Sequence, residues 1–207
     1  MSGYRSLIAA LRRLRKRSRV ERLTIGSVLD SLGDTAFCLI AVFLALPFLQ
    51  PFIPLGPFST AGAVAFIVLG SQLLRGHPEP ALPERIRRIP VAPRVIDLIA
   101  TYSIRFLGWW RRHTRLRHLS WVSGRKGRRV TGGILVAAGC IMIVPFFGIP
   151  LNDFFPALAV VSVSVGELER DGLMVLVALV WLAIGAAYCA FLLTLLALFG
   201  RGVWDFF

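Results

Sequence analysis

Charge is confined to blocks along this chain, and long uncharged stretches separate the blocks. Thr35 to Leu74 is 40 residues without a charged side chain. As one helix that stretch would run roughly 60 Å at 1.5 Å per residue, twice the hydrocarbon thickness of a bilayer. It must fold back on itself. Pro47, Pro51, Pro54 and Pro57 mark the reversal, because proline lacks an N–H and interrupts a helix. The pattern predicts two helical arms, over about 35–49 and 57–74. A second uncharged run, Val130 to Asn152, is broken at Pro145 and Pro150, and a third apolar piece follows over 154–166. The last run, Gly172 to Gly200, holds 29 uncharged residues and is expected to span once with tilt or to break near Gly185.

The two broken hairpins resemble each other. Pro47-Phe48 matches Pro145-Phe146, and Ile53-Pro54-Leu55 matches Ile149-Pro150-Leu151. At a spacing of 96 residues Phe58 meets Phe154, Ala61 meets Ala157, Gly70 meets Gly166 and Gly76 meets Gly172. An internal repeat is expected: apolar arm, proline-rich tip, apolar arm, paired glycines. The predicted fold class is an all-α integral membrane protein. Two proline-broken helical hairpins form the repeat, joined by a C-terminal transmembrane helix and basic interfacial helices. One membrane domain fills 1–207. Within it lie a basic N-terminal segment (1–33), the first hairpin (34–76), a basic connector (77–129), the second hairpin (130–172) and the last helix (173–200).

Composition agrees. Hydrophobic residues make up 56%, charged residues 17%, and mean hydropathy is +0.71, while the net charge is +13. That combination excludes a disordered chain and a disulfide scaffold. Of the 24 Lys and Arg residues, 22 lie before position 130. Residues 5–22 and 75–129 carry them, which puts both flanks of the first hairpin, and the N-terminus, in the cytoplasm. The start of the chain is basic and shows no signal-peptide core. Leu7, Leu11 and Leu14 form one face of residues 5–19, and Ile96, Ile99, Phe106, Trp109 and Trp110 cover much of 94–112. Both segments suit a membrane surface with anionic headgroups. The partners expected are the bilayer and those headgroups, with a second copy of this chain as a further candidate; nucleic acid is not expected. Cys38, Cys140 and Cys189 fall in apolar runs and read as packing residues.

Catalytic patterns are missing: no phosphate loop, no GxSxG, no HExxH. The expectation is no enzymatic activity, no cofactor and no metal. The hairpin tips carry the candidate chemistry. Ser59 and Thr60 follow Pro57 at the start of one arm; Asn152 and Asp153 open the matching arm of the repeat. All four are helix N-terminal residue types. At membrane depth, two helix N-termini would present free N–H groups and positive dipole ends, as in the broken helices of transporters. Asp153 is the one acid between Val130 and Gly166. Two roles stand open for Asn152 and Asp153: capping a helix, or forming a substrate or proton site. Asp34 and the acids of 167–171 are expected to support helix dipoles, and Gln50 and Gln72 to hydrogen-bond between arms.

Several of these motifs together are similar to those of the ExoD family. They are Ser31-Leu-Gly-Asp34, Ala45-Leu-Pro47-Phe48, the Pro-Leu-Gly-Pro-Phe-Ser-Thr tip at 54–60, Ile149-Pro-Leu-Asn152 with Pro156-Ala157, and Leu168-Glu-Arg-Asp-Gly172. The likeness covers roughly residues 20–200; Thr35-Ala36 departs from the Arg-Gly-like pair expected there. The resemblance implies a multi-pass protein of the bacterial inner membrane linked to exopolysaccharide synthesis. Two functions follow as expectations: a transporter- or flippase-like protein for an anionic lipid or sugar intermediate, or a non-catalytic accessory protein of a membrane synthesis complex or of membrane homeostasis. Substrate contact would fall to Ser59, Thr60, Asn152 and Asp153. With the native cysteines replaced, single cysteines at Ser18 and Ser123 are expected to escape labelling by an impermeant maleimide on intact cells. Strong labelling at either would reverse the predicted orientation.

Overall fold

Proline and glycine decide where the helices of this chain begin and end. The computed structural model describes residues 13, 23–50, 57–81, 83–92, 97, 101, 124–144, 149, 151–169 and 171–204. Among these, structure is helical apart from one isolated bridge between Thr24 and Pro90. The expected surface helices of 5–19 and 94–112, and the proline-rich tips at 51–56 and 145–148, lie outside the described residues, single positions apart.

Helix α1 (Ile25–Leu32) starts at Thr24, whose Oγ1 accepts from the Ser27 N–H while the Ser27 hydroxyl oxygen accepts from the Thr24 N–H, a reciprocal cap. A 3₁₀ turn (Gly33–Thr35) leads into α2 (Ala36–Ala45), which ends in a second 3₁₀ turn (Leu46–Leu49). Helix α3 (Pro57–Leu74) opens on a proline, where the missing N–H costs nothing. It stops at Gly76, whose φ of 82° favours glycine. There the His77 N–H donates to the Gln72 carbonyl and the Gly76 N–H to that of Leu73. A single turn, α4 (Glu84–Arg87), packs on α1 through the Arg87–Asp30 pair at 2.5 Å. Helices α5 (Gly124–Met142), α6 (Phe154–Glu169) and α7 (Gly172–Trp204) complete the described chain.

Backbone contact joins the hairpins. A Cβ on Gly70 would stand 2.6 Å from the Gly132 carbonyl oxygen, and one on Gly139 would stand 2.6 Å from that of Ala63. Positions rising along α3 meet positions falling along α5, so the two helices are antiparallel and touch through glycine. Helix α6 is the most enclosed element, buried from Pro156 through Gly166 except Leu158, between α2, α5 and α7. Phe37, Phe66, Leu73, Leu135, Met142, Val160 and Val163 fill the common core. Helix α7 is antiparallel to α6, since Gly166 faces Met174 and Gly185 faces Phe155 and Pro156. Phe155 stacks on Trp181 with centroids 6.1 Å apart and meets Tyr188 edge-on.

Among the described residues two helices are long and apolar enough to cross a membrane: Pro57–Leu74, and Gly172–Leu198 within α7. The latter exposes Leu176, Leu179, Val180, Phe191, Leu196 and Leu198. Of the polar groups expected to link arms, Gln72 does something else. Its amide exchanges two hydrogen bonds with the backbone of Ala81, at 2.8 and 3.0 Å, and so pins the chain after α3. Gln50 is exposed.

Replacing Gly139 or Gly70 by leucine should destabilise the protein by about 2–4 kcal/mol, because backbone stands where the side chain must go. A Cβ on Gly133 would meet nothing within 4 Å; Gly133→Ala should be neutral or gain up to about 1 kcal/mol from helix propensity. Thermal melts in detergent check both, and equal effects at all three positions would contradict the glycine contact.

Candidate functional site

Ser59 is the third residue of α3, and Asp153 immediately precedes α6. The antiparallel glycine contact brings these two helix starts to the same end of the molecule. There the Ser59 hydroxyl donates to Asp153 Oδ2, joining residues 94 apart in sequence. The neighbouring Asn152 donates from Nδ2 to Asp153 Oδ1 at 3.3 Å. Leu151 makes the turn possible with a φ of 70°, an uncommon conformation for a branched residue, and the Phe154 N–H closes it onto the Leu151 carbonyl at 3.2 Å.

Three of the four candidate residues therefore meet. Ser59 and Asn152 are buried, at 8% and 5% exposure, while Asp153 is half-buried. Thr60 lies beside them, half-buried, but takes no part in this chain of hydrogen bonds. Asp153 serves as N-cap by position: its carbonyl accepts the first helical bond, from the Ala157 N–H at 3.0 Å. Its carboxylate turns away from that task toward Ser59 and Asn152. Asn152 Oδ1 is buried and has no partner among the described residues. Chemically the tip offers one carboxylate, one amide oxygen and one hydroxyl oxygen, beside the N-termini of α3 and α6.

A second polar group lies at the opposite ends of the same helices, and the sequence pattern did not reveal it. Arg128 donates to the carbonyls of His77 and Pro78 at 2.5 and 3.2 Å and covers the Phe37 ring at 5.8 Å. Cys38 is buried within electrostatic reach of both Glu167 and Arg128. Glu167 and Glu169 occupy the last turn of α6, where a helix dipole disfavours acids, rather than the first turn of the next helix. Asp171 alone of that cluster caps α7: its Oδ1 accepts from the Leu173 N–H at 2.9 Å, and the residue is 2% exposed. One sequence signal existed. An acid ending an apolar helix needs a cation, and the start of the repeat unit carries them. Among the described residues no cluster of three His, Cys, Asp or Glu side chains forms a metal centre.

The bond between the tips can be measured. Ser59→Ala and Asp153→Ala should each destabilise by about 1–3 kcal/mol. The double variant should cost less than the sum, with a coupling of about 1–2 kcal/mol. Strict additivity in thermal unfolding would mean that the hydroxyl and the carboxylate do not act as a pair.

Comparison with known proteins agrees with this arrangement of motifs. The family described as "Exopolysaccharide synthesis, ExoD" matches residues 7–191. Protein ExoD of Rhizobium meliloti (strain 1021) is 28% identical over 205 residues, covering 99% of this chain and 85% of that protein. No solved structure matches. Because the family match takes in both hairpins, both tips and most of α7, the chain belongs to the ExoD family, whose members are associated with exopolysaccharide synthesis.

Proposed function

We propose that this protein is a multi-pass inner-membrane protein that acts in exopolysaccharide synthesis as a transporter- or flippase-like carrier of an anionic lipid or sugar intermediate. Its two hairpins enter from the cytoplasmic side as re-entrant repeats related by a two-fold axis along the membrane normal. The equivalent pairings of α3 with α5 and of α2 with α6 support that symmetry. So does the concentration of basic residues at the hairpin bases.

Helix lengths support the depth of the tips. Taking Gly172 at the cytoplasmic boundary, Gly185 lies roughly 20 Å along α7 and Leu198 roughly 39 Å. Phe155, at the tip, packs at the level of Gly185 and Tyr188. The tips then end inside the apolar layer, with α7 running on alone. Irregular backbone at that depth is tolerated where protein or a wet cavity covers it. Polar residues there serve function more often than structure.

The observation that carries the proposal is the Ser59–Asp153–Asn152 chain joining the two tips. The N-termini of α3 and α6 face the anionic group of the intermediate, as helix starts do at anion sites. No catalytic step is assigned to these residues.

A strain lacking this protein and defective in polysaccharide production supplies the test. Asp153→Asn keeps the shape of the side chain and removes its charge. It is expected to reach the membrane in normal amount yet lower polysaccharide output about 10-fold or more. Full complementation by Asp153→Asn and by Ser59→Ala would remove the carrier reading in favour of an accessory protein.

A further inference from the structure

The hydrogen-bond inventory of the tip is lopsided. Asn152 Nδ2 donates to Asp153 Oδ1, which fixes the orientation of the amide, since the reverse would set oxygen against oxygen. Asn152 Oδ1, carried by the same carbon beside Nδ2, is buried, and no group of the described chain donates to it. The Ser59 proton is used on Asp153 Oδ2, so the hydroxyl oxygen has only lone pairs left to offer. The carboxylate retains further lone pairs. Both of its partners are neutral, whereas Asp30 and Glu84 pair with arginines.

We propose that Asn152 Oδ1, the Asp153 carboxylate and Ser59 Oγ bind a monovalent alkali cation between the two hairpin tips. An all-oxygen donor set suits a hard cation. One carboxylate balances one positive charge; divalent ions in protein sites gather more carboxylates. The buried Asn152 oxygen, which otherwise forfeits a hydrogen bond in an apolar setting, gains a partner. This deepens the carrier reading and rests on it for the role of the ion. With its charge cancelled by the cation, Asp153 no longer repels an anionic intermediate at the N-termini of α3 and α6. The ion is then bound together with the intermediate.

The test uses the full chain purified in detergent. Sodium or potassium chloride replaces choline chloride at constant ionic strength, and Tm and equilibrium binding of radioactive sodium are measured. Wild type should show saturable binding and a rise in Tm of about 5 °C at saturation. Asp153→Asn and Asn152→Ala should weaken binding at least about 10-fold, since each removes a coordinating oxygen. Glu84→Gln, on the exposed α4, should behave as wild type. Ser59→Ala serves if either tip variant fails to elute as a folded species. The proposal is overturned if neither sodium nor potassium acts on wild type differently from choline, or if binding survives in both tip variants. Loss of complementation by Asp153→Asn with no cation binding by wild type would sink the cation site and leave the carrier reading. Cation binding by wild type with full complementation by both Asp153→Asn and Ser59→Ala would do the reverse.

Discussion

The contact on which the rest of this structure depends is the meeting of two glycine-bearing helix faces, α3 against α5. In lipid the hydrophobic effect gives helices little reason to associate; close packing and polar bonds must do it. Gly70, Gly132 and Gly139 let the two backbones approach within reach of each other's carbonyls. Their spacing along both helices fixes the antiparallel register. That register in turn decides which residues of the two tips can touch. A shift of one helical turn, about 5.4 Å, would carry Ser59 beyond hydrogen-bonding range of Asp153.

Two polar layers result, one at each end of the bundle, with an apolar core between them. At one end Arg128, Cys38 and Glu167 gather over Phe37; at the other Ser59, Asn152 and Asp153 gather between helix starts. The first layer contains both signs of charge. In the second, the carboxylate is held by neutral donors. Opposite charges held close together offset part of each other's desolvation cost. Among the described residues the Asp153 carboxylate has only neutral donors and the Asn152 amide oxygen beside it has no partner, an arrangement costly to the fold.

Legibility in the sequence followed the range of the forces involved. Proline acts locally, so the first hairpin's arms, expected over 35–49 and 57–74, are helical over 36–49 and 57–74. The tip residues were legible for the same reason: helix-start residue types beside prolines. What pairs with what was not. The junction of Glu167 with Cys38 spans more than half the chain, and Cys38 looks like any small apolar residue in its run. Gln72 does not link arms as its pattern suggests, because the chain after α3 turns back onto it and brings Ala81 within reach. No local signal announces that turn. The acids of 167–171 read as one helix start. Helix α6 ends at Glu169 and α7 begins at Gly172, which divides them between the end of α6 and the cap of α7.

Length asymmetry supplies the last constraint. Helix α6 has 16 residues and α7 has 33, and the two run antiparallel from a shared tight turn. Phe155 and Pro156 pack at Gly185 and Phe155 meets Tyr188, so among the described residues the stretch of α7 past Tyr188 extends with no helix of the second hairpin beside it. Its side chains there, Phe191, Leu193, Leu196 and Leu198, are exposed and apolar. In water such a surface would drive association; in hydrocarbon it is at rest. The hairpins are therefore shorter than the helix that borders them for a reason visible in their sequence. The prolines that end α2 and open α3 stop the arms part-way. The polar residues beside those breaks, Ser59 at the start of α3 and Asn152 and Asp153 before α6, are thereby gathered at one end of the bundle, part-way along the helix that borders it.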